Sequence, residues 1–378
     1  MQKRRIIGIP RSDVVSCGNL GRDSALRPML RLDPGNPDKM MPALALFSFA
    51  TLIPLPLLLA GAFWGGVWVW LALFYISVFT YLMDQLVRIV PAAAQDREFP
   101  AADPLSIVLA LAHFVLLGLA VWSIGTGQIG LWQSIGLIIA TGLYVGQVSN
   151  SNAHELIHKG ARPLNMLGRW IYISQLYGHH TSAHVLIHHR LVATPDDPAT
   201  ARLGEGYWSY VPRAWLDAFR KGYRAEKARL DRVGRGLWHN PYVTYVAGGL
   251  GFCVAAALLG GPLGLLTYFI IVVYAQGQLM LSDYVQHYGL TRRIINGKPE
   301  PVGPQHSWDA PQWFSSALML NAPRHADHHA HPARPFPELQ LHADAPRLPR
   351  SLPAMASLAL FPPLWRRVMD RRVARLAA

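Results

Sequence analysis

The sequence predicts an all-α membrane protein with six transmembrane helices and a cytoplasmic, histidine-rich helical cap. Three observations predict it. Of 378 residues, 51% are hydrophobic and only 15% are charged, whereas soluble domains average about 25% charged residues. Three long blocks contain no Asp, Glu, Lys or Arg: from Lys39 to Asp84, from Asp103 to Glu155, and from His239 to Asp283. Finally, nine of the 16 histidines fall into four groups, each at or just beyond the end of a charge-free block or in a polar segment.

The spans follow from length. A hydrocarbon core about 30 Å thick takes about 20 apolar residues per helix. Each charge-free block therefore holds two spans, separated at Gly65-Gly66, at Gly125-Thr126-Gly127 and at Gly260-Gly261-Pro262. The expected spans are 43–62, 67–90, 104–123, 129–149, 242–259 and 263–283. The three short breaks carry no Lys or Arg. The other connections do: Arg88 and Arg97, the run from Arg162 to Arg235, and the tail from Arg292 to Arg375. The positive-inside rule then puts both termini and both large polar segments in the cytoplasm, which the even number of spans allows. Residues 1–40, polar, basic and without an apolar core, read as a flexible segment, or as an over-extended start ahead of Met40 or Met41; they are no secretory signal. Residues 41–378 read as a single membrane domain.

The net charge of +13 (His neutral) suits loops beside anionic lipid. No basic stripe with interleaved aromatics accompanies it, which argues against nucleic acid as a partner. Cys17 and Cys253 are far apart, so neither a disulfide framework nor a cysteine-ligated metal is expected.

The histidine groups carry the chemistry. His154 and His158 follow the fourth span in HELIHK. His184, His188 and His189 form H-x-x-x-H-H in HVLIHH. His287 closes the sixth span, and His325, His328 and His329 form H-x-x-H-H in RHADHHAHP. Residues at i, i+3 and i+4 share a helix face, so each pair can aim two imidazoles at one point, while the adjacent His of an H-H pair points elsewhere. Nine imidazoles exceed the three or four protein ligands of a zinc site; two ions with four or five ligands each account for the number. A zinc peptidase built on H-E-x-x-H would leave seven clustered histidines without a purpose, and a metal transporter would place its site near the bilayer midplane. Imidazole also suits iron, and our hypothesis at this point is a di-metal, iron-based redox centre in the cap. Metal analysis returning one zinc per chain would exclude it.

Acidic residues in spans are costly and usually paired or functional. Asp283 lies one turn before His287 on the same face and is expected to accept the second ring N–H of a ligand. Glu155, between two ligands, is expected to serve a neighbouring imidazole or the metal. Asp84 reads either as a partner of Arg88 or as functional. His113 reads as a hydrogen-bonded core residue, and His179 and His180 as orienting neighbours of the second group.

Taken together, these segments resemble the integral-membrane non-haem di-iron alkane hydroxylases and their xylene monooxygenase relatives. HELIHK (154–159) is similar to that family's first histidine box. HVLIHH with the following VATPDDPATAR (192–202) resembles the second, HYGL (287–290) the His-Tyr-Gly element, LNAPRHADHHAHP (320–332) the third box, and PPLWRRVMD (362–370) the tail. The resemblance implies hydroxylation of the terminal carbon of medium- or long-chain n-alkanes drawn from the bilayer, with O2. It implies two iron ions held by His154, His158, His184, His188, His189, His287, His325, His328 and His329. It implies electrons from rubredoxin and its NADH-dependent reductase, and a place in the inner membrane. Fatty-acyl desaturation, or hydroxylation of an alkyl-aromatic, fatty acid or terpene, is the alternative. Three positions depart from the family pattern: Ala183 and Gln286 stand where Glu is usual, and Ile187 where Gly is usual. These bear on the surroundings of the ligands and on substrate range. Self-association into a homo-oligomer is left open.

Overall fold

A computed structural model describes residues 41–86 and 102–376; residues 1–40 and 87–101, which include Arg88 and Arg97, lie outside the described residues. In chain order the elements are α1 (Leu44–Trp64), α2 (Gly66–Leu86), α3 (Ala102–Gly125), α4 (Leu131–Ile157) and α5 (Arg162–Ser174). Next comes α6, which runs from His180–Ala183 through the π-helical turn His184–His188 into His189–Leu191. There follow α7 (Tyr207–Arg232), α8 (Pro241–His287), the two-residue strands β1 (Ile294–Ile295) and β2 (Lys298–Pro299), α9 (Trp313–Leu318), α10 (His325–Ala330), α11 (Leu352–Ala359) and α12 (Pro362–Leu376). The strands form one small antiparallel hairpin, and the fold is otherwise helical.

Among the described residues five helices, not six, are long and apolar enough to cross a membrane: α1 to α4 and α8. The difference lies in α8, whose 47 residues cover both expected last spans. It is not straight. Gly261 adopts φ 63°, ψ −158° and Pro262 follows. A Cβ on Gly264 would lie 3.2 Å from the carbonyl oxygen of Ala256, although eight residues of straight helix advance about 12 Å. The chain therefore doubles back at the predicted Gly260-Gly261-Pro262 break, with no intervening loop. Only glycine adopts that φ without strain. Helix α3 packs against this bend: a Cβ on Gly260 would sit 2.6 Å from the Val121 carbonyl oxygen, and one on Gly125 only 2.4 Å from Gly260 Cα. Small residues at this crossing are what lets the backbones touch.

The spans present apolar side chains outward. Val67, Leu71, Leu111, Leu250 and Leu258 are all exposed, as expected of surfaces that meet lipid rather than water. Trp64 and Trp132, at the ends joined by the short breaks, are 74% and 72% exposed, the position of an interfacial aromatic belt.

One contact fixes the first histidine segment. Helix α5 lies back against the end of α4 through Gly168, where a Cβ would be 2.7 Å from Leu156 Cβ and 2.9 Å from the Ala153 carbonyl oxygen. Asn165 donates from Nδ2 to the Ile157 carbonyl oxygen nearby. Gly168→Val is therefore expected to force α5 off α4 and to destabilise the protein by about 1–3 kcal/mol, read as a lowered thermal midpoint with reduced bound metal.

Asp84 has a structural role. Its Oδ1 accepts from the backbone N–H groups of Phe314 (3.1 Å) and Ser315 (3.0 Å) at the start of α9. It thereby ties α2 to a segment 230 residues later. The alternative partner Arg88 lies outside the described residues.

Candidate metal centre

Four elements deliver the nine clustered histidines to one place. HELIHK forms the end of α4, where His154 and His158 share a face. HVLIHH is the π turn of α6, His287 ends α8, and α10 carries the last three. The potential ligand atoms separate into two groups, each mutually within 4.8 Å: His154, His158, His184, His189 and His328 in one, and His188, His287, His325 and His329 in the other.

The division is not the one that α-helical spacing predicts for HVLIHH. There His184 and His188 are expected together, with His189 apart. In the structure His184 joins His189, and His188 joins the other group. The π turn is the reason. In an α-helix residues i and i+5 are about 140° apart, whereas a π turn, with its i→i+5 hydrogen bonding, brings them onto one face. In α10 the ordinary pattern holds: His325 and His329 (i, i+4) share one group and His328 faces the other.

Ring nitrogens approach one another closely. Nε2 of His184 is 2.8 Å from that of His154 and 2.9 Å from that of His189, and His189 is 3.1 Å from His328. In the second group, His325 Nε2 is 3.0 Å from His287 Nε2 and 3.2 Å from His329 Nε2. Nε2 of His158 and of His188 are buried without a hydrogen-bond partner. With imidazole–metal distances of about 2.0–2.1 Å, neighbouring ligands at right angles sit about 3 Å apart. Converging, unpartnered nitrogens at that separation fit a metal ion and are otherwise hard to satisfy.

The electrostatics agree. Burial, followed by the charges of neighbouring imidazoles, holds His184, His189, His325, His328 and His329 well below the usual histidine pKa. Burial pushes His158 from 6.5 down to about 4. His188 is the exception: burial opposes its charge, but the carboxylates of Asp197, which it touches, and of Asp283 together raise it. Neutral imidazoles are the form that binds metal. Because the folded-state pKa of His158 is depressed, between about pH 4 and 6.5 the unfolded chain binds more protons than the native state there. Stability therefore rises with pH across that window and is lost as acid is added. Thermal unfolding and metal content followed from pH 7.5 to pH 5 are expected to fall together.

Outer contacts orient the rings. Asp197, its side chain fully buried, accepts from His188 Nδ1 at 2.9 Å and from Thr200 Oγ1 at 2.7 Å, which leaves His188 Nε2 free for the group. His287 Nδ1 donates to the His306 carbonyl oxygen at 3.2 Å. Asp327, on α10, accepts from Arg334, His331, His342 and the backbone of Gln340. A bound guanidinium makes this third His/Asp cluster a clasp for residues 331–342 rather than a metal site. Asp197 was missed by sequence reading; its signal is the D-D-P-A-T run after the second box, an aspartate whose Oδ1 also accepts from the Ala199 backbone at 3.1 Å.

Two expected roles are corrected. Asp283 does not accept from His287, whose second nitrogen is taken by the His306 carbonyl oxygen; it lines two small cavities beside His180 and His184. Glu155 does not face the imidazoles. One residue beyond His154, it lies a further 100° round the helix and pairs with Lys159 at 2.9 Å, which also holds Asp103 at 3.0 Å. His113 is fully buried, 2.7 Å from Ser174 Oγ and in neither group. His179 packs on Trp215 and Phe219, and His180 stacks on Tyr177. Gln286 bridges Ser282 and the Ala322 carbonyl oxygen.

A cavity of about 860 Å³ opens beside the centre, with largely apolar walls that include Ile76, Val78, Leu143, Val211, Val273 and Leu281. A smaller one of about 40 Å³ reaches His154, His184 and His325 and shares Gly146, Ser282 and Met319 with it. The large cavity is of the size that holds a small ligand.

Fold and site define a helical membrane protein whose paired imidazole clusters are built to take metal beside an apolar pocket. Residues 129–359 match the fatty acid desaturase family model. The chain is 34% identical to alkane 1-monooxygenase 1 of Alcanivorax borkumensis, over 75% of this chain and 70% of that protein. It is 32% identical to alkane 1-monooxygenase 2 of Pseudomonas aeruginosa, over 83% of this chain and 86% of that protein. To the hydroxylase component XylM of xylene/toluene monooxygenase from Pseudomonas putida it is 30% identical, over 81% and 83%. The chain belongs to the alkane monooxygenase family, within the wider fatty acid desaturase family.

Proposed function

We propose that the protein is a non-haem di-iron alkane 1-monooxygenase, which uses O2 to convert medium- or long-chain n-alkanes to 1-alkanols. The observation that carries this reading is the apolar cavity of about 860 Å³ adjoining a narrow space lined by His154, His184 and His325. The nine imidazoles are the proposed ligands, five for one iron and four for the other. Iron held there would supply O2 activation and the oxidation of an unreactive C–H bond. The chain supplies the rest. Apolar walls bind the substrate by burial, at about 0.8 kcal/mol per CH2, which grades affinity by chain length but does not choose a carbon. Gly146, Ser282 and Met319 line both cavities, and passage of the chain's tip between them toward the imidazoles would select the end. Asp197 holds His188 in the tautomer that leaves Nε2 unprotonated.

Electrons come from outside, because Cys17 and Cys253 build no cluster of their own. Rubredoxin with its NADH-dependent reductase is the proposed source, a small acidic partner drawn to a chain of net charge +13. In this reading α8 crosses the inner membrane twice about Gly261. That gives six crossings, with both termini and the histidine-bearing cap in the cytoplasm.

The test is product analysis. Membranes supplied with rubredoxin, reductase, NADH and ¹⁸O2 are expected to turn an n-alkane into a 1-alkanol carrying ¹⁸O. An alkene product would make the protein a desaturase. Turnover confined to an alkyl-aromatic, fatty acid or terpene would move the substrate assignment.

A further inference from the structure

Away from the histidine centre, a cavity of about 280 Å³ lies between α5 and the start of α8, with Arg162, Asn165, Arg169, Trp170, Thr244 and Tyr245 in its walls. We propose that it binds the headgroup phosphate of an anionic phospholipid, whose acyl chain lies along α8.

Arg162 and Arg169 lie two turns apart on the exposed face of α5, about 10 Å by helical rise, and both border the one cavity. Among the described residues neither guanidinium is paired with a carboxylate. Glu226, on neighbouring α7, is already held by Ser182 and Arg229. The first turns of α5 and α8, which contribute to the wall, contain no acidic residue. Two arginines with no carboxylate partner bordering one cavity suit an anion, and guanidinium–phosphate pairing is among the strong, charge-assisted matches.

A second feature says which anion. Thr244, Gly248, Gly251 and Ala255, spaced i, i+4, i+7 and i+11, share one face of α8 that leads from the cavity toward the Gly261 bend. Gly251 is exposed, with nothing within 4 Å of where a Cβ would be. Trp170, 38% exposed, lies against Gly248. The result is a shallow apolar track with an interfacial tryptophan at its head. A free phosphate ion has no use for such a track, whereas a lipid fills both parts. Helix α5 also packs on the HELIHK segment through Gly168 and Asn165, so an occupied site steadies the first histidine pair.

The metal-loaded protein in neutral detergent is titrated with phosphatidylglycerol, with phosphatidylcholine, and with inorganic phosphate, and followed by thermal shift and by native mass spectrometry. Phosphatidylglycerol is expected to raise the midpoint and to stay bound, and phosphatidylcholine to do neither. The double variant R162A/R169A is expected to bind phosphatidylglycerol at least about tenfold more weakly, the scale of one lost charged hydrogen bond. Arg235→Ala, an exposed arginine elsewhere, is expected to bind it normally. Gly251→Leu, which fills the track and leaves both arginines, is expected to weaken it as well. Undiminished phosphatidylglycerol binding by both the double variant and Gly251→Leu overturns the proposal. So does stabilisation by inorganic phosphate equal to that by the lipid, which would make this a free-anion site.

Discussion

His184→Ala is expected to abolish turnover and to lower bound iron, and His328→Ala to do the same. His184 is the hub of its group, with Nε2 2.8 Å from that of His154 and 2.9 Å from that of His189. Removing it opens a hole in the middle of the donor set and leaves the remaining nitrogens to face one another with no shared ion. His328 reaches the same group from the far end of the chain, 3.1 Å from His189, so its loss removes the one donor α10 gives this group. Loss of an outer-shell partner typically costs 10–100-fold, so loss of a direct donor is expected to exceed about a hundredfold in activity. His113→Ala, which removes one bond to Ser174, is expected to be mild by comparison. The paired measurements are alkanol formation and iron per chain. Normal activity in either ligand variant would sink the nine-histidine assignment.

Asp197→Asn is expected to be nearly as damaging, although Asp197 belongs to neither imidazole group. The carboxylate accepts from His188 Nδ1, which fixes the proton there and the lone pair on Nε2. An amide in its place can donate to Nδ1 instead and so favour the opposite tautomer, with a proton where the ion should bind. The expected cost is about 10–100-fold in metal affinity. It falls selectively on the group of His188, His287, His325 and His329, so iron per chain drops from about two toward one as chelator is added. Uniform loss of both ions would show instead that Asp197 merely holds the fold.

Much of this centre could be read from the chain alone, for a physical reason. Charge depletion is a property of sequence, and so is the recurrence of histidine at one-turn spacing. The predicted turning points at Gly65, Gly127 and Gly261 all occur as glycines with positive φ. Other features depended on what residues meet in space. The partition of HVLIHH turned on a π turn that no spacing rule announces. Glu155 sits next to a ligand in sequence but about a third of a turn away on the helix, where Lys159 claims it, and Asp283, one turn before His287, finds that ring's second nitrogen already taken by the His306 carbonyl oxygen. Asp197 was overlooked because it serves His188 from a loop. The last two expected spans run on as one element because a single non-helical residue, Gly261, turns the chain with no loop between them.

The composition of the two imidazole groups has a consequence for biogenesis. Each group draws on the six-residue helix α10: His328 completes one, and His325 and His329 complete the other. Five of the nine donors have already emerged by His189, but at about 5–20 residues per second ribosomes need on the order of ten seconds more to deliver the last three. During that interval the nascent chain has imidazoles on hand and no finished nest. Both halves of the centre are then completed in a single late event, and a chain released before residue 325 completes neither.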